Sequence, residues 1–134
     1  MLVMGTIDGV FLLEPEAPAT RTNLSGRAVN AVRSAGEHLL AGADDGVYRS
    51  SDDGRSWTRV GLEGCEVLAL EVSPSSPEVV VASTRPPAVY RSADRGNTWT
   101  AVERSHVPGG AVSGFKSGAR AHTIAFDPFD RDRY

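Results

Sequence analysis

The sequence predicts an all-β fold assembled from repeated four-stranded antiparallel sheets. Two observations carry that prediction. One is an eight-residue phrase that occurs twice, as Ser50-Ser51-Asp52-Asp53-Gly54-Arg55-Ser56-Trp57 and as Ser92-Ala93-Asp94-Arg95-Gly96-Asn97-Thr98-Trp99. The copies lie 42 residues apart, both fit Ser-x-Asp-x-Gly-x-x-Trp, and each follows a Val-Tyr-Arg run. Repetition at such a spacing is the signature of an architecture built from one supersecondary unit. The other observation is the set of short, alternating apolar runs, bounded by turn residues, that surround both copies.

The phrase has a local physical logic. Val47-Tyr48-Arg49 and Val89-Tyr90-Arg91 favour an extended chain. The Asp that follows can accept backbone N–H groups ahead of it, and the Gly supplies a positive φ without steric cost. The Ser hydroxyl can bond within the same turn. The Trp opens the returning strand and offers a large apolar ring to whatever packs beneath. Ser50, Asp52, Gly54 and Trp57, with Ser92, Asp94, Gly96 and Trp99, are therefore expected to be structural, tying a β-hairpin at its tip and its base.

These two copies resemble the Asp-box, or BNR repeat, of sialidase-like β-propellers, and the repeat around them is similar to propellers of the sortilin, photosystem II assembly-factor and xyloglucanase types. The resemblance implies a β-propeller segment of about three four-stranded blades. It places the phrase in the hairpin between the third and fourth strands of a blade, away from the central ligand site. It identifies the blade without identifying a ligand.

Taken in order, residues 2–11 align with residues 39–48, each reading strand, Asp-Gly turn, strand. The first copy lacks the phrase afterwards. Glu14-Pro15-Glu16-Ala17-Pro18 stands there instead, and its prolines suggest an irregular link or an edge. The chain thus opens at the second strand of a blade. Residues 27–33 alternate as an inner strand, turned by Ser34-Ala35-Gly36-Glu37. His38–Ala43, Gly46–Ser50 and residues 56–60 complete that blade. Residues 65–72 begin the next one, Ser73-Pro74-Ser75-Ser76-Pro77 turns it, and residues 78–83 follow. Arg85-Pro86-Pro87 reads as an enlarged loop before residues 88–92 and 98–102. Residues 104–118 are polar and glycine-rich, a long loop of the kind that is often functional. His122-Thr123-Ile124-Ala125-Phe126-Asp127-Pro128 repeats the inner-strand pattern. The expected blade portions are about 1–26, 27–61, 62–104 and 119–134 in one domain. Propeller rings have about 4–8 blades, so this chain is expected to be the N-terminal part of a longer ring. The alternative is a short chain that closes a ring with further copies of itself through exposed blade edges.

Composition narrows the function classes. At 134 residues with net charge −3, the chain has no electrostatic case for nucleic acid or for an anionic membrane. No apolar run reaches the roughly 20 residues that a membrane helix needs, and the N-terminus has no signal-peptide pattern. The single cysteine, Cys65, cannot form an internal disulfide, so a reducing, cytoplasmic setting and a buried structural thiol are expected.

Candidate chemistry is sparse. A sialidase-like site would need an arginine cluster, a Tyr–Glu nucleophile pair and an acid Asp. Tyr48 and Tyr90 are instead spent at repeat-equivalent strand positions. A xyloglucanase-like site would need two opposed carboxylates, for which Glu71 and Asp127 are the candidates. Asp44-Asp45 and Asp52-Asp53 read as turn formers rather than Ca²⁺ ligands, because a hard cation wants six to eight oxygens. His38, His106 and His122 lack metal-ligand spacing. No cofactor is expected. The reading is a non-catalytic binding or scaffold module for a protein or carbohydrate partner. Its contact surface is expected at Arg33, Glu71, Arg85, His106 and His122, with residues 107–118. The rival is a glycoside hydrolase whose catalytic residues lie partly outside this chain. An assembly-factor-like chaperone for a membrane complex is compatible with the blades and has no residue evidence of its own.

Overall fold

A computed structural model describes residues 1–85 and 88–102. They form a β-propeller segment of three antiparallel sheets side by side. The first contains β1 (Leu2–Thr6), β2 (Gly9–Leu13) and β3 (Thr20–Ser25), in that spatial order. The second contains β4 (Val29–Ala35), β5 (His38–Ala43), β6 (Gly46–Ser50) and β7 (Thr58–Gly61), again in chain order. The third runs from β8 (Glu66–Val72) through β9 (Val80–Arg85) and β10 (Ala88–Ser92) to β11 (Thr100–Ala101).

Strict alternation along the strands builds two cores. On β5, Ala41 and Ala43 face back toward the first sheet, in a cluster with Val10, Leu24, Val29 and Trp57. Leu40 faces forward, with Ala31, Val47, Val67, Leu70 and Val80. Successive residues point to opposite faces of a sheet, so one strand can serve both interfaces. The close approach of neighbouring sheets depends on glycine at one repeat position. A Cβ on Gly5 would lie 2.8 Å from Val29 Cγ1, and one on Gly42 would lie 2.6 Å from Val67 Cγ1.

Both inner strands carry the same irregularity. The register of β4 on β5 shifts between Val29 and Ala31, and that of β8 on β9 shifts between Val67 and Ala69. In this register Arg33 and Glu71 hold equivalent positions, opposite Leu40 and Val81 respectively.

Several expectations change. β3 was not anticipated: the chain returns after the proline link as a fourth strand of the first blade. Its register matches that of β7, with Arg21 opposite Phe11 and Arg59 opposite Tyr48. Arg85 is not in a loop; it ends β9, opposite Glu66. β4 continues through Ala35, so the turn that follows is shorter than its sequence suggests. Cys65 is a free thiol of intermediate exposure rather than a buried one, because it sits in the turn before β8 and not inside a strand. Pro86, Pro87 and residues 103–134, with the loop and the inner-strand pattern expected there, lie outside the described residues. Among the described residues, no helix is long and apolar enough to cross a membrane.

Candidate functional site

The repeated phrase closes two hairpins with the same bonds. Ser50 Oγ donates to Asp52 Oδ1 at 2.7 Å and accepts the Gly54 N–H at 2.9 Å. Asp52 Oδ1 accepts the Ser56 N–H at 2.8 Å. Trp57 Nε1 donates to the Gly54 carbonyl at 2.8 Å. In the second copy Ser92, Asp94, Gly96, Thr98 and Trp99 repeat these contacts within 0.1 Å. Gly54 and Gly96 have φ of 90° and 88°. The residues before them, Asp53 and Arg95, are also left-handed, at 61° and 60°, a strain the sequence alone does not announce.

These bonds consume the aspartates. The hydroxyl and N–H of Ser56, with the Ser50 hydroxyl, hold the Asp52 carboxyl down at about 2. Thr98 and then Ser92 do the same for Asp94, also at about 2. A carboxylate with a depressed native pKa stabilises the fold above its unfolded value and loses that contribution as pH falls through the native value. Stability is therefore expected to decline between about pH 4, the ordinary Asp range, and pH 2. Urea titrations across that window should show a shallower decline for Asp94→Asn than for the parent chain. An unchanged pH slope would overturn the assignment.

Among the proposed contact residues, Arg33 and Glu71 are brought together. Arg33 Nε lies 3.4 Å from Glu71 Oε2, and Arg33 Nη1 donates to the Val32 carbonyl at 2.9 Å. They bridge adjacent inner strands and are partly exposed, with 45% and 33% of their side-chain surfaces accessible. Such a pair contributes about 0–1 kcal/mol, so its ends remain available to a ligand at little cost in stability. Arg85 does not join them. It makes its own two-pronged pair with Glu66, at 3.1 and 3.3 Å. Glu66 and Glu71 are toward opposite ends of β8, five residues and so roughly 16 Å apart at about 3.3 Å per residue. The expected single surface is thus two patches. His106 and His122 lie outside the described residues.

A third polar cluster escaped sequence reasoning. Asp45 accepts the Tyr48 hydroxyl at 3.0 Å and the guanidiniums of Arg27 and Arg59 at 3.0 and 3.1 Å. Burial, then the hydrogen bond and charge of Asp45, push the Tyr48 phenol up. The first blade holds a counterpart: Arg21 pairs with Asp8 at 3.0 Å and stacks over the Phe11 ring at 5.3 Å. The signal was present in the parallel Thr20-Arg21 and Thr58-Arg59 steps. It was hidden because the first copy lacks the phrase that would have aligned them. Among the described residues, no group of three or more His, Cys, Asp or Glu side chains could hold a metal ion.

No protein-family model matches the sequence, and no curated protein matches it. Solved structures match its fold. An ancestral GH74 enzyme is 16% identical with a TM-score of 0.60, over 75% of this chain and 16% of that one. The GH74 xyloglucanase from Xanthomonas campestris is 21% identical with a TM-score of 0.57, over 87% and 19%. YCF48 bound to D1 peptide is 18% identical with a TM-score of 0.52, over 72% and 35%. The chain therefore spans at most about a third of the length of these β-propeller proteins, and the likeness is one of fold.

Proposed function

We propose that this chain is part of a propeller whose role is binding or scaffolding rather than catalysis. In this reading its hairpins are Asp-boxes and its partner is a protein or a carbohydrate. The observation that carries the proposal is the Arg33–Glu71 pair, a partly exposed cation and anion on adjacent inner strands. Together they can meet both signs of charge on a peptide, or the hydroxyls of a sugar. Arg85 and Glu66 form a second patch, and His106, His122 and residues 107–118 complete the contact surface. The three sheets among the described residues are fewer than the 4–8 blades of a typical ring, so further blades complete it in this proposal.

The experiment is a titration of the chain with xyloglucan oligosaccharides and with a panel of charged peptides, read by calorimetry, beside a reducing-end assay on xyloglucan. Saturable binding without new reducing ends is expected, weakened at least about tenfold in Arg33→Ala, as loss of a charged hydrogen bond implies. Release of reducing ends would favour the hydrolase. Binding that Arg33→Ala and Glu71→Ala leave untouched would remove the proposed surface.

A further inference from the structure

The two interfaces between sheets differ at one repeat-equivalent place. Between the second and third sheets, Arg49 of β6 reaches across and donates to the Asn97 side chain of the second hairpin. Between the first and second sheets the equivalent residues are Leu12, opposite Thr20 as Arg49 is opposite Thr58, and Arg55. Leu12 is too short to make the bridge. A pocket of about 350 Å³ remains, lined by Met1, Leu12, Thr20 and Thr22, with Glu14, Arg21 and Arg55 also contributing. That volume is at the lower end of the range of small-ligand sites, about 300–1,000 Å³.

The lining states what would fit. Leu12 is only 8% exposed and gives an apolar base. The Thr22 hydroxyl is already engaged, donating to the Val10 carbonyl and accepting the Leu24 N–H. Arg21 is occupied by Asp8 and by the Phe11 ring. Arg55 makes one long bond, to the Asp52 carbonyl at 3.4 Å, and a guanidinium has five N–H donors. Glu14 is exposed and adds an anion. We infer that this pocket between the first two blades binds a free apolar α-amino acid. The side chain lies on Leu12, the carboxylate meets Arg55 and the ammonium meets Glu14.

The test is a titration of the isotopically labelled full chain with norleucine, hexanoate and pentylamine, read as amide shifts in two-dimensional NMR spectra. Norleucine is expected to give saturable shifts at Thr20, Arg21, Thr22 and Arg55, and to bind more tightly than either single-charge analogue. Leu12→Arg, which installs the residue found at the equivalent position of the second blade, should abolish them. Arg55→Asn, which installs the residue of the second hairpin, should weaken binding about tenfold. It keeps the hairpin bonds intact, so it decides the matter if Leu12→Arg does not fold. Absence of saturable shifts, equal binding of hexanoate, or binding unchanged in Arg55→Asn would each overturn the assignment.

Discussion

Trp57→Ala is expected to destabilise the chain by about 3–5 kcal/mol, the range for removing a large buried aromatic. The Trp57 ring is 4% exposed and belongs to the core between the first two sheets. Its indole N–H closes the hairpin on Gly54, and its backbone is held by both ends of the Asn23 amide, at 2.8 and 2.9 Å. The truncation therefore opens a cavity and loosens the tip of the hairpin at once. Trp99 makes the same indole bond at 2.9 Å but is only partly buried, packing against Gly61. Trp99→Ala should cost distinctly less, about 2 kcal/mol by the same cavity argument. Urea unfolding followed by far-ultraviolet circular dichroism compares the two without relying on tryptophan emission. Equal losses, or a smaller loss for Trp57→Ala, would contradict the assigned burial.

Gly42→Val is expected to cost about 3 kcal/mol, although valine is the better strand former. The reason lies in the neighbouring sheet. A Cβ at Gly42 meets Val67 Cγ1 at 2.6 Å and Val67 Cβ at 3.2 Å, and Leu70 stands behind at 3.4 Å. Val67 and Leu70 are themselves buried in the forward core, so neither can swing into solvent. β8 has to move away from β5, and the packing between the second and third blades goes with it. A compensating Val67→Ala in the Gly42→Val background should recover part of the loss, because the two residues share one space. A neutral Gly42→Val, measured by thermal unfolding, would mean that the blades are not packed as described.

The strand pattern, the hairpin chemistry and the inner strands were legible because they are local. Alternation with period two marks a strand wherever it occurs, and Ser-x-Asp-x-Gly-x-x-Trp writes its own hydrogen bonds within eight residues. β3 was not legible, because its cue, the Thr-Arg step shared with β7, has meaning only once both strands are paired with their neighbours. Arg85 was misread for the same kind of reason: the prolines after it suggested a loop, while its pairing with Glu66 across the sheet kept it extended. The candidate surface was half legible. Sequence put Arg33 and Glu71 on inner strands, and the equal bulges at Val29 and Val67 set them side by side.

The sequence by itself determined the repeat, the hairpins and the sheet-forming segments, since each depends on contacts a few residues apart along one chain. Tertiary structure alone decided how the blades meet. The glycine at position 42 is conspicuous only beside Val67. The separation of Arg33 from Arg85 is fixed by the length of β8. The pocket at Leu12 exists because two equivalent places carry side chains of different reach, and reach is measured across an interface rather than along a chain.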